Sequence, residues 1–191
     1  MLLRVISLLI FLSLPYQSNP TSPNNLPTPY VIPEAYEVYS TIIPSVWPWV
    51  KTLLIRSETE TYNMCLRPEK QYEGRIGPAI SDYVKQNQKT WLLQRDLRID
   101  KPYETITPDE LKSIFEQGIE GWKTFHQKHP GTEGWIELSA VGFNDDKTIA
   151  VVYMGYHCGI LCGGGEFHVL QKKDGKWIPL EWRGESCSWA S

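Results

Sequence analysis

The chain has 191 residues, of which 41% are hydrophobic and 21% charged; that length holds one domain or two very small ones, and the apolar fraction excludes wholesale disorder. A formal net charge of −3 excludes a nucleic-acid binder that works through a strongly basic surface, because such binding rests on neutralised phosphates. Eight Trp and four Cys are the compositional outliers.

Residues 1–18 read as a signal peptide. One early cation, Arg4, precedes an apolar run from Val5 to Leu14. That run is shorter than the ~20 residues a membrane span needs, so no transmembrane span is expected in the mature chain. Cleavage is placed between Leu14 and Asn19, and the destination is the periplasm or the extracellular space. Residues 19–33 form a Pro-rich leader in which Pro20, Pro23, Pro27, Pro29 and Pro33 remove backbone donors, so neither helix nor ladder is expected to run through it. No Asn-x-Ser/Thr acceptor is present.

Residues 34–191 read as a single α+β domain. Ala35, Tyr36, Val38, Tyr39 and Ile42 predict a short helix ended by Pro44 and Pro48. Leu53 to Ile55 lead into Ser57–Thr61, whose alternation reads as one strand. Ile80, Tyr83 and Val84 predict a helix within Gly77–Asn87. Thr107-Pro108-Asp109-Glu110 carries the capping-box pattern with Pro at the first helical position, and Trp122 and Phe125 suggest further helix before Pro130.

Beyond that point the period becomes strand-like. Trp135–Phe143, Thr148–His157, Glu166–Lys173 and Lys176–Trp182 are four consecutive strand candidates. Asp174-Gly175 predicts a tight hairpin between the last two. Short connections predict an antiparallel meander of about four strands, with the helices covering one face. The second strand is apolar on both sides and should be central, whereas Pro179 places the fourth at an edge.

Four Cys in an exported chain predict two disulfides. Two pairings survive the topology. Cys158–Cys162 with Cys65–Cys187 is favoured, because closing a short loop costs less chain entropy; alternatively Cys187 takes one loop cysteine and Cys65 the other. A rival zinc site from His157, Cys158, Cys162 and His168, with Cys187 in reach, lacks paired ligand spacing, and neither metal nor cofactor is assigned.

The catalytic candidates are weak: His157, His168 and Glu166 surround the Cys158–Gly165 loop, and no Gly-x-Ser-x-Gly elbow exists. Gly163, Gly164 and Gly165 could present backbone N–H groups to an anion, or form a turn that leaves room for a bridge. Trp135, Trp177 and Trp182 belong to the sheet, with Trp91 and Trp122 near helices. Trp47, Trp49 and Trp189 are harder to place in a meander and are the candidates for a binding face.

Several stretches together resemble a family of exported bacterial proteins of unknown function: Tyr36–Ser40, Thr90–Leu93, Ile136–Phe143, Tyr153–Gly165, Lys173–Trp177 and the terminal Trp189-Ala190-Ser191. The resemblance covers most of the chain after the leader and implies export from a bacterium, with no activity, cofactor or catalytic residue. The chain therefore reads as an exported, disulfide-stabilised, non-enzymatic binding or envelope-associated domain. The alternative is an exported hydrolase with its site near the Cys158–Gly165 loop.

Overall fold

A computed structural model describes residues 27–62, 66, 74–116, 118–181 and 188–191. In chain order, a two-residue strand β1 (Thr28–Pro29) precedes helix α1 (Pro33–Ile42) and a 3-10 turn at Ile43–Ser45. Strand β2 (Leu53–Arg56), helix α2 (Ile76–Gln86) and strands β3 (Trp91–Leu92) and β4 (Tyr103–Ile106) follow. Helix α3 (Pro108–Ile114), a 3-10 turn at Gly118–Glu120 and helix α4 (Gly121–Lys128) lead to β5 (Trp135–Leu138) and β6 (Gly142–Phe143). The long hairpin of β7 (Ile149–Gly159) and β8 (Cys162–Lys173), then β9 (Lys176–Pro179) and β10 (Trp189–Ala190), complete the described elements.

The α+β class holds, but the expectation of a simple antiparallel meander is corrected. The main sheet has eight strands and is mixed, in the order β10-β8-β7-β5-β2-β4, with β6 also on β7 and β9 also on β8. From β5 to β9 the local, antiparallel part matches the expectation, except that Trp135–Phe143 is broken into two strands around Ser139–Val141. On the far side of β5, β2 runs parallel to both β5 and β4. Parallel neighbours require long crossover connections, and the helices sit in them: α2 between β2 and β4, α3 and α4 between β4 and β5. The strand is Leu53–Arg56 itself; Ser57–Thr61 contributes only isolated bridges at Glu58 and Glu60.

The helices cover both faces, not one. Ala35, Tyr36, Val38, Tyr39 and Ile42 of α1 pack with Leu53, Ile55, Ile136, Ala150, Val152, Met154 and Leu170 on what is here called the α1 face. The opposite face carries two separate clusters. Ala79, Ile80 and Tyr83 of α2 pack on Ile149, Val151, Tyr153 and Val169, whereas Ile114 and Phe125 of α3 and α4 pack on Leu54, Ile106 and Trp135. The two-sided apolar pattern of β7 is the consequence, and that strand is central as expected.

Local rules explain the joints. Thr107 caps α3 through its side chain, which accepts from Glu110 N. Asp174 and Gly175 both have positive φ (49° and 76°), the pair of angles a type I′ hairpin demands. Gly142 lies so close to α2 that a Cβ there would collide with the backbone of Ala79 and Tyr83. Asn87 fastens the end of α2 to the break in the sheet: its Nδ2 donates to Tyr83 O (2.9 Å) and Ala140 O (3.0 Å), and its Oδ1 accepts from Ala140 N (2.9 Å). The end of the leader is part of this packing, contrary to expectation. β1 pairs with β3, and Tyr30 is fully buried with its hydroxyl accepting from Val141 N at 2.9 Å. No helix among the described residues is long and apolar enough to cross a membrane.

Candidate functional site

The region around the β7–β8 hairpin has two faces, and they differ in chemistry. In the register, His168 lies opposite Val152 of the α1-face core, whereas His157 stacks on Trp135 of the other face. The two imidazoles therefore do not converge. Glu166 and His168, two apart on β8, share the α1 face, with Glu166 Oε1 3.7 Å from His168 Nε2.

The α1 face holds a cavity of about 510 Å³. Its floor is β7 and β8, with Met154, Tyr156, Glu166 and His168 at the surface and Gly164 and Gly165 beneath. One wall is the loop after α1, with Trp47 and Trp49; the other is the C-terminal strand from Ser188 to Ala190. Trp47 adopts φ +49°, a left-handed conformation that is unfavourable for a bulky residue. In that conformation its buried ring packs edge-on against Tyr156, with centroids 5.6 Å apart. Lys101 stabilises the strained loop by donating from Nζ to the carbonyls of Trp47 (3.2 Å), Pro48 and Val50 (3.0 Å). Trp49 is 69% exposed at the rim. Burial favours the neutral ring and holds the His168 imidazole below its ordinary value, against the opposing pull of the Glu166 charge.

The glycines are not a turn. Gly163, Gly164 and Gly165 lie inside β8, and Gly164 and Gly165 are paired with β7 on one side and β10 on the other. Their backbone groups are committed to ladders, which removes the anion-cradle reading. What the missing side chains leave is room for rings: a Cβ at Gly164 would meet the Tyr156 hydroxyl on the cavity side, and one at Gly165 would meet Tyr153 Oη and Trp189 Nε1 on the other side.

That other side carries a polar seam between the α2 and α3–α4 clusters. Glu137, on β5, accepts from Trp135 Nε1 (3.2 Å) and His157 Nε2 (3.2 Å), with Arg56 Nη1 at 3.5 Å. Arg56 also bonds Glu60. Burial alone would raise the Glu137 carboxyl, but the His157 bond and charge, the Trp135 bond and the Arg56 charge outweigh it and hold the group below its ordinary value. His157 stacks on Trp135 (4.7 Å, 17°) and lies 5.5 Å from the Trp189 ring. Trp189 Nε1 donates to Tyr153 Oη at 2.6 Å. Thus Trp189 borders the cavity by its strand while its indole serves the seam.

Cys158 and Cys162 are joined across the hairpin end, with Cα atoms 5.0 Å apart, as expected. Cys65 and Cys187 lie outside the described residues. With Cys158 and Cys162 bonded and the two histidines on opposite faces, the zinc set of the rival reading is not assembled, and no group of three or more His, Cys, Asp or Glu able to hold a metal occurs among the described residues. Of the residues singled out from sequence, Trp47, Trp49, Gly164, Gly165, Glu166, His168 and Trp189 meet at the cavity; His157 and Gly163 do not line it. Tyr156 and Met154 carry no sequence signal as site residues, because an apolar strand gives no sign of which members face an opening. The link between Glu137 and Arg56, 81 positions away, has no sequence signature.

No protein-family model, curated protein or solved structure matches this chain.

Proposed function

We propose that this is an exported, disulfide-stabilised binding domain whose ligand site is the aromatic-walled cavity between the Trp47–Trp49 loop, the β7–β8 hairpin and β10. One observation carries the reading: a bulky residue is held in a left-handed backbone conformation, with Lys101 on the surrounding carbonyls, and its ring forms a wall of a 510 Å³ opening. Strain of this kind persists where the surroundings over-determine it and is concentrated at ligand sites. The cavity is of ordinary small-ligand size, with the rings of Trp47, Trp49 and Tyr156 in its lining and Glu166, His168, Ser45 and Ser188 as polar groups to orient what enters. Export rests on the N-terminal apolar run and on the cysteines, and bacterial origin rests on the family resemblance.

The test is a titration of the protein lacking only the signal peptide, residues 1–18, with small-molecule classes, followed by intrinsic Trp fluorescence. A saturable response that is lost in Trp49→Ala is expected; no saturable response to any class would refute the binding reading. N-terminal sequencing of protein recovered outside the cytoplasm should place the new terminus between Leu14 and Asn19.

A hydrolase remains the second reading, and one observation favours it: Glu137 orients His157 at the edge of the hairpin. Its test is turnover of ester, amide and glycoside substrates by the protein lacking only residues 1–18 and by its His157→Ala variant. Activity that survives His157→Ala would remove this dyad from consideration.

A further inference from the structure

The ligand class can be narrowed from the charge of the lining, resting on the cavity being a binding site. Among the described residues that line it, Glu166 is the single acid and there is no Lys or Arg. His168 is held towards its neutral form by burial, and its Nε2 has no hydrogen-bond partner. Lys101, the cation on the neighbouring loop, directs its ammonium at the carbonyls of Trp47, Pro48 and Val50 and is not part of the lining. An opening with one carboxylate and the rings of Trp47, Trp49 and Tyr156 favours a cation in two ways: through the formal charge, and through the electron-rich faces that such rings offer to an entering cation.

We propose that the cavity binds organic ammonium cations, the alkylated head group entering against Trp47, Trp49 and Tyr156 while Glu166 supplies the counter-charge. Among the described lining residues an anionic ligand would meet Glu166 without a compensating cation. A neutral apolar ligand would leave Glu166 unused. The Glu166 side chain is 63% exposed, so it can turn towards a cation without leaving a buried charge behind.

The experiment compares choline with its neutral carbon isostere 3,3-dimethyl-1-butanol, on the protein lacking only residues 1–18, by Trp fluorescence and calorimetry. Choline is expected to bind saturably and about tenfold more tightly than the isostere, within the range of a partly desolvated cation–π contact. Glu166→Gln, at an exposed position that leaves folding intact, should remove most of that preference, and Trp49→Ala should weaken choline several-fold. Equal binding of choline and the isostere overturns the cation assignment while leaving the cavity a binding site. Binding of an acidic or sugar ligand with none of choline does the same. Absence of saturable binding by every class tested overturns the cavity reading itself, and this inference with it.

Discussion

Gly165→Ala isolates how the C-terminal strand is held. A Cβ at this position would stand within 3.0 Å of both Tyr153 Oη and Trp189 Nε1. Tyr153 cannot yield readily, because its ring is stacked on Tyr62 (4.4 Å, 21°) and packed in the α2-side cluster. Trp189, on a two-residue strand, is displaced most, and the Tyr153 hydroxyl, the atom nearest the new Cβ, must tilt with it. Its displacement removes the 2.6 Å bond to Tyr153 Oη, worth about 1 kcal/mol net, and re-exposes on the order of 100 Å² of indole, worth about 2.5 kcal/mol. The lower unfolded-state entropy of Ala offsets about 0.5 kcal/mol. A loss of about 2–3 kcal/mol follows, or roughly 4–12 °C in Tm for a chain of this size. Differential scanning fluorimetry measures it. Gly163→Ala, whose Cβ would meet neighbours only at 3.0–3.3 Å, should cost less than half as much. A Tm change below about 1 °C in Gly165→Ala, or an equal loss in both variants, would refute the reasoning.

Asn87→Ala leaves the buried N–H of Ala140 without its partner, while the Ala140 carbonyl keeps the Ser139 hydroxyl as donor, and should cost about 1–3 kcal/mol, read by urea denaturation. Cys158→Ser with Cys162→Ser opens a five-residue loop and should cost about 2 kcal/mol by the chain-entropy relation; the same loss should follow reduction of the native protein. Acid should weaken the fold in two stages. The His168 imidazole is held below its ordinary 6.5, so its unfolded form takes up a proton first, and stability falls as pH drops below about 6.5. The Glu137 carboxyl is held below its ordinary 4.5, so its contribution is complete above that value and is lost as pH falls through the lower, folded value. Stability against pH should therefore lose its upper stage in His168→Gln and its lower stage in Glu137→Gln.

The features legible in the order of amino acids are local. The helix of α1 follows from apolar spacing, the start of α3 from Thr107 and Pro108, the β8–β9 hairpin from Asp174-Gly175, and the central place of β7 from its two-sided apolar pattern. The Cys158–Cys162 bond follows from a short separation at a strand-to-strand junction. These depend on contacts a few residues long, whose signals lie side by side in the chain. The parallel pairing of β2 with β4 and β5 does not: Leu53–Arg56 and Tyr103–Ile106 are four-residue strands whose partners lie tens of residues away, and no local pattern names a parallel neighbour. Nor does the allocation of side chains to faces cross from one strand to the next without the register. His157 and His168 look like a pair in sequence and lie on opposite sides of the sheet, while Trp47, Tyr156 and Glu166, which no spacing connects, border one opening. A side-chain period of two means that a one-residue difference in register exchanges the faces, so the composition of the site was decided only when the strands paired.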